Sequence, residues 1–167
     1  MADRRSEAIR RRLVRWAMTA AYRLMRIRWF LTRPRTYGVR AIVVTRSGDV
    51  VLLRHSYVRG WHLPGGGRKT GEVPEAAVLR ELREEIGLEG FDSLRHLGAY
   101  EHRPDFKRDR VDLFLIEGAD YRWRRSAEIE EVRDFDPRRL PLDISRRSQG
   151  AIVEWLETIL GDSAAGG

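Results

Sequence analysis

Residues 67–90 read GRKTGEVPEAAVLRELREEIGLEG and follow directly on Gly65 and Gly66. Pro74 begins a helical pattern in which Ala77, Val78, Leu82 and Ile86 recur at steps of three and four, so one face is apolar. Proline suits a first helical turn, where its missing N–H costs nothing. Gly87 suits the helix end. On this helix Glu81, Glu84 and Glu85 fall within side-chain reach of one another. Like charges so placed destabilise a helix by a few tenths of a kcal/mol. Two readings compete on the helix alone. The acids are a solvated face with Arg80 and Arg83 as counterions, or they hold a hard divalent cation, which takes carboxylate oxygens and substrate phosphates.

Working upstream, YGVRAIVVT at 37–45 is rich in β-formers, RSGD at 46–49 is a turn signal, and VVLLRHS at 50–56 is a second strand, so a hairpin is expected. YVRGWHLPGGG at 57–67 is a loop, with Trp61 expected beneath it. Downstream, strands are expected at 94–101, 110–117 and around 128–135. A C-terminal helix follows, with Asp143 or Ser145 as its N-cap. Residues 161–167 read as a disordered tail. There is no internal repeat. Strands and helices in this order imply a mixed α/β domain, not a regular βαβ winding.

The chain has 167 residues and carries a formal charge of +7, from 32 Lys plus Arg against 25 Asp plus Glu. Only Lys69 and Lys107 are lysines, which leaves 32 − 2 = 30 arginines. Residues 1–36 hold 11 arginines against Asp3 and Glu7, a charge of 11 − 2 = +9, so residues 37–167 carry 7 − 9 = −2. The basicity therefore belongs to an N-terminal arm. Ile9, Leu13, Trp16, Ala20, Leu24, Ile27 and Leu31 form one stripe of an amphipathic helix in that arm, with Arg12, Arg15, Arg23 and Arg26 on another face. Pro34 ends it. The stripe suits packing on the domain or on a second subunit, giving a homodimer. The arginines suit an anionic membrane surface or RNA. Arg23, Arg26 and Arg28 interrupt the apolar part, which argues against a secretory signal. No run of about 18 uncharged apolar residues is present, so no simple spanning helix is expected. With no cysteine, disulfides and thiolate metal sites are excluded. A cytoplasmic protein, peripheral at the membrane if the arm binds lipid, is the expectation.

The spacing around the acids resembles that of the Nudix hydrolase family, whose signature is G-x5-E-x7-R-E-U-x-E-E-x-G-U with U aliphatic. It is matched at Gly66, Glu72, Arg80, Glu81, Leu82, Glu84, Glu85, Gly87 and Leu88. The flanking hairpin, the late strand EIEEVRDFDPRRLP and the C-terminal helix extend the likeness over about residues 37–160. The resemblance implies an α/β/α sandwich with a mixed central sheet, preceded here by the N-terminal amphipathic helix. It implies hydrolysis of a pyrophosphate bond in a nucleoside diphosphate linked to another group. It also implies Mg²⁺ or Mn²⁺ on Glu81, Glu84 and Glu85, helped by the Gly65 carbonyl, with Arg80 and Glu72 pairing to hold the loop against the helix. Such catalysis works by positioning and charge stabilisation, which fits a chain with no evident nucleophile. A late carboxylate, among Glu128, Glu130 and Glu131, is expected to take the water proton, with Glu130 named for the site. His55 and Tyr57 are candidate substrate contacts, and Arg103, Lys107, Arg108 or Arg110 candidate phosphate contacts in EHRPDFKRDRVD. Two alternatives accompany this reading: an RNA 5′-end pyrophosphohydrolase that uses the basic arm, and a non-catalytic nucleotide-sensing module of the same fold.

Overall fold

A computed structural model describes residues 35–102 and 108–165, with side chains described over 37–101 and 110–159. The expected arm helix lies outside the described residues, as do Arg103 and Lys107.

Strands β1 (Arg35–Thr45) and β2 (Val50–His55) form the expected antiparallel hairpin. Its turn closes through Gly48 N–H to the Thr45 carbonyl (3.0 Å) and Thr45 N–H to the Asp49 carbonyl (2.9 Å). The helix expected after the glycine loop is α1 (Pro74–Glu85). Its last turn is closed by Ile86 N–H to the Leu82 carbonyl, and Gly87 then takes φ +70°. A side chain at Gly87 would meet the Arg122 carbonyl at 2.3 Å, so both the dihedral and the space call for glycine. Strand β3 (Leu88–Gly90) follows at once, then β4 (Ser93–His102), β5 (Arg108–Tyr121), β6 (Ile129–Phe135) and helix α2 (Arg146–Ala165).

The sheet is mixed and six-stranded, in the order β3-β5-β1-β2-β6, with β4 also paired to β5. β1 and β5 run parallel at its centre, and the other pairs are antiparallel. Strands covered on both faces read as continuous apolar runs, which is why AIVVT and VVLL lack polar alternation. Val39, Ala41, Val43, Val51, Leu53, Phe114 and Ile116 pack under Ala77, Val78 and Leu82 of α1 and under Ile86, which caps it. Ile42, Val44, Val50, Leu52 and Leu115 face the other way, against Ile152 and Trp155 of α2. The result is the expected α/β/α sandwich.

Several boundaries differ from the sequence reading. β3 was not foreseen, because three residues are too short for a periodic signal. β5 is longer at both ends than 110–117, since its pairing with β1 begins at Arg108 and that with β3 ends at Tyr121. Ser145 caps α2, its Oγ accepting from Ser148 N–H at 3.2 Å, while Asp143 instead binds Arg54 at 2.6 Å. The helix runs on through Ala165, so 161–165, expected in a disordered tail, are helical. Trp61 is buried in the α2-side cluster together with Leu63 of the same loop, edge-on to Phe135 and beneath Arg54. No described helix is long and apolar enough to cross a membrane.

Candidate active site

The glycine loop reaches its place by laying backbone on backbone. Val39 N–H donates to the Gly66 carbonyl (2.9 Å), Ala41 N–H to the Pro64 carbonyl (3.0 Å) and Arg68 N–H to the Tyr37 carbonyl (2.9 Å). Gly65 sits at φ +133°, and a Cβ there would lie 2.3 Å from the Val39 carbonyl oxygen. Any side chain would push the loop off β1. The Gly65 N–H, not its carbonyl, is the group seen engaged: it donates to Glu85 Oε2 at 2.7 Å. Beside it, the Glu81 carboxylate lies against Gly66 in space that a Cβ would occupy.

Arg80 organises the loop. Its Nε donates to Glu72 Oε1 (2.8 Å) and its Nη2 to Glu72 Oε2 (2.9 Å) and to the Gly67 carbonyl (2.9 Å). Nη1 donates to Glu81 Oε1 at 2.7 Å, with Glu84 Oε2 3.5 Å away. Bidentate guanidinium–carboxylate pairs are short, strong and directional. Bonding to Arg80 and to the Lys69 N–H holds the Glu72 carboxyl down at about 2, and bonding to Glu72 and Glu81 raises Arg80. Arg80 is thus the counterion that lets Glu72, Glu81 and Glu84 stand close together.

Glu85 behaves differently. It is buried, with 7% of its surface exposed, on the helix face that points into the protein. Loss of hydration pushes its carboxyl up to about 8, opposed by the Gly65 N–H and by Arg40 and reinforced by Glu81 and Glu128. Its neighbours come from outside the signature. One ring nitrogen of His55 and one carboxylate oxygen each from Glu85 and Glu128 all lie within 4.8 Å of one another. His55 is the last residue of β2, and burial holds its imidazole down at about 4, so it is neutral. Glu128 stands just ahead of β6. Ser56 N–H to the Glu128 carbonyl (2.8 Å) and Ser56 Oγ to the Ala127 carbonyl (2.8 Å) tie that loop to the end of β2. Tyr57 donates its hydroxyl to Glu128 Oε1 at 2.9 Å, and burial, then Glu128 itself, pushes the phenol above its ordinary value.

The structure therefore brings together Glu81, Glu84, Arg80 and Glu72 as one cluster, and Glu85, His55 and Glu128 as another beside it. Glu130 is not in either. β2 pairs Arg54 with Glu131 and His55 with Ile129, so Glu130 is the extra residue of a bulge. That leaves Glu128 as the late acid at the site, and Glu131 pairs with Arg133. Arg108 starts β5, though its side chain is outside the described ones; Arg110 is exposed on the same strand. Sequence reasoning missed Asp112, a buried carboxylate held between Arg68 (3.4 Å) and His96 (3.1 Å). The only cue was a lone acid inside the apolar run VDLFLI. Arg68 in turn donates to the Glu72 carbonyl through Nη2 (2.8 Å) and Nε (3.2 Å), which anchors the signature loop to the central strand.

The donor set fits a divalent cation. It holds a buried carboxylate whose ionised form burial disfavours and a cation would stabilise, with Glu81 and Glu84 on the same turn of the helix.

Comparison with known proteins agrees. The NUDIX domain family matches residues 34–156. A putative 8-oxo-dGTP diphosphatase of Bacillus subtilis is 32% identical over 107 residues, 64% of this chain and 70% of that protein. An RNA pyrophosphohydrolase of Hydrogenovibrio crunogenus is 42% identical over 61 residues, 36% of each chain, so the match spans about a third of that relative's length. Among solved structures, a MutT NUDIX hydrolase from Burkholderia pseudomallei superposes with a TM-score of 0.62 at 22% identity, over 71% of this chain and 95% of that one, a likeness of fold. With the signature complete and folded into one loop and helix, the chain belongs to the NUDIX domain family of hydrolases.

Proposed function

We propose that this chain hydrolyses the pyrophosphate bond of a nucleoside diphosphate linked to another group, using Mg²⁺ or Mn²⁺. The observation that carries the reading is the pairing of a buried Glu85 with the Gly65 N–H at 2.7 Å, which locks the glycine loop to the acidic helix face. Glu81, Glu84 and Glu85, with the Gly65 carbonyl, would hold the cation. When bound, such an ion neutralises phosphate charge and lowers the pKa of a bound water. The chain's own residues do the rest. Arg80 and Glu72 fix the loop, Arg68 and Asp112 brace it, and Glu128 is the late acid that stands beside Glu85. The names of the relatives support a nucleotide-type substrate. The test is Glu85→Gln on a panel of nucleoside triphosphates, nucleotide sugars, dinucleotides and triphosphorylated RNA. Turnover near wild type would remove the metal assignment. Absence of metal-dependent turnover by the wild type would favour the non-catalytic sensing alternative.

A second reading is favoured by the 11 arginines of residues 1–36 and by relatives named RNA pyrophosphohydrolase. In it the substrate is a triphosphorylated RNA 5′ end and the arm contacts backbone phosphates. Affinity then falls steeply with salt, and deleting 1–35 flattens the slope. The same truncation tests the other partners expected of the arm. Binding to anionic vesicles should vanish with it if the protein is cytoplasmic and peripheral at the membrane. Sedimentation of both forms reads out a homodimer.

A further inference from the structure

We propose that His55, together with Glu85 and Glu128, forms a mixed nitrogen–oxygen site for a divalent transition-metal ion. Two of its three ligands, His55 and Glu128, lie outside the signature, and the site would select Mn²⁺ or Co²⁺ over Mg²⁺. The inference deepens the hydrolase reading, resting on it only for the role of Glu85.

The argument is geometric. Ligand atoms of the three residues lie within 4.8 Å of one another. Two donors on opposite sides of a small divalent cation stand about 4.2 Å apart, twice a bond of roughly 2.1 Å. The spacing of the three ligand atoms is therefore close to what a single ion requires. Three separate elements supply it: the end of β2, the last turn of α1 and the mouth of β6. Each carboxylate has one oxygen already oriented by an outer partner, Glu85 Oε2 by the Gly65 N–H and Glu128 Oε1 by the Tyr57 hydroxyl. Glu85 Oε1 and Glu128 Oε2 have no hydrogen bond among the described residues. Outer partners of this kind are what fix metal-ligating side chains.

His55 is the residue that makes the site unlike one for Mg²⁺. Its Nδ1 is buried and has no hydrogen-bond partner among the described residues. A buried polar atom left unpaired costs free energy, and a bound ion at the imidazole would offset that cost. The adjacent imidazole, His62, is engaged elsewhere, its Nε2 3.0 Å from the Arg59 carbonyl, so it does not share the site. Imidazole is a poor ligand for hard Mg²⁺ and a good one for transition metals, whose affinity exceeds that of alkaline earths at nitrogen. The signature acids Glu81 and Glu84, being all-oxygen and bound to Arg80, lack this preference.

The experiment uses the full chain loaded with Mn²⁺ alone, without nucleotide. Pulsed electron paramagnetic resonance reads nitrogen coupled to the bound ion, and titration calorimetry reads Mn²⁺ and Mg²⁺ affinity. Nitrogen coupling in the wild type should disappear in His55→Gln and persist in His62→Gln. Mn²⁺ affinity of His55→Gln should fall at least the roughly tenfold typical of losing even an outer partner, with Mg²⁺ affinity little changed. Glu128→Gln, on a different element, should weaken Mn²⁺ in the same way; circular dichroism of the metal-free variants checks that each is folded. Bound Mn²⁺ with no nitrogen coupling, or coupling that survives His55→Gln, overturns the inference and leaves the hydrolase reading standing. No uptake of either ion by the wild type overturns both.

Discussion

Arg80 and Glu72 meet side by side, Nε to Oε1 at 2.8 Å and Nη2 to Oε2 at 2.9 Å, across the loop that joins the glycine turn to the acidic helix. The same guanidinium reaches the Gly67 carbonyl and Glu81. One cation therefore fixes the loop and relieves the repulsion among the signature acids.

Arg80→Lys keeps the charge and loses the fork, so it separates the two roles. Turnover should drop about 10–100-fold, as for other residues that orient metal-binding side chains. The melting temperature should fall as well. Steady-state kinetics beside a thermal melt will show it, and wild-type turnover in Arg80→Lys would mean the loop does not depend on the fork.

The Glu72 pair also has a pH signature. The carboxyl sits at about 2 in the folded protein, below the roughly 4.3 of an unfolded glutamate. A depressed carboxylate contributes stability that is fully present above the unfolded value and is lost as pH falls through the folded one. The stability gap between wild type and Glu72→Gln, from urea unfolding, should be constant above about pH 5 and shrink from there toward pH 2. A gap that does not change over that window refutes the assignment.

Glu85→Gln preserves shape and the acceptor for the Gly65 N–H, yet removes the negative charge. Wild-type protein should gain melting temperature on adding Mn²⁺, because a ligand that binds only the folded state stabilises it by mass action. The variant should lose most of that gain, and turnover with it. Differential scanning fluorimetry with and without the ion decides the matter, and an undiminished shift would place the cation elsewhere.

Asp112→Ala should destabilise by about 1–3 kcal/mol, the cost of leaving buried partners of a charged hydrogen bond unsatisfied. Arg68 would keep its bond to the Glu72 carbonyl but lose its anchor on β5. Faster hydrogen exchange at 67–72 is expected, and an unchanged loop would show the brace to be idle.

Leu82 is fully buried under the sheet, whereas Leu142 is fully exposed. Leu82→Ala should cost about 2–5 kcal/mol, from lost transfer energy plus a cavity. Leu142→Ala should stay within about 0.5 kcal/mol of wild type. Paired urea titrations compare them directly.

The signature and its periodicities determined a good deal unaided. The hairpin and α1 with its apolar face are local, and each is legible where a period of 2 or 3.6 meets a turn residue, whereas the α/β/α layering and the Arg80–Glu72 pair were implied by the resemblance that the signature carries. Tertiary structure decided the rest. Which of Glu128, Glu130 and Glu131 faces the site turns on one bulge where β6 meets β2, and a register shift leaves no mark in composition. That Glu85 is sunk beside His55 while Glu84 lies exposed follows from where α1 lands on the sheet, a matter of packing between segments 30 residues apart in sequence.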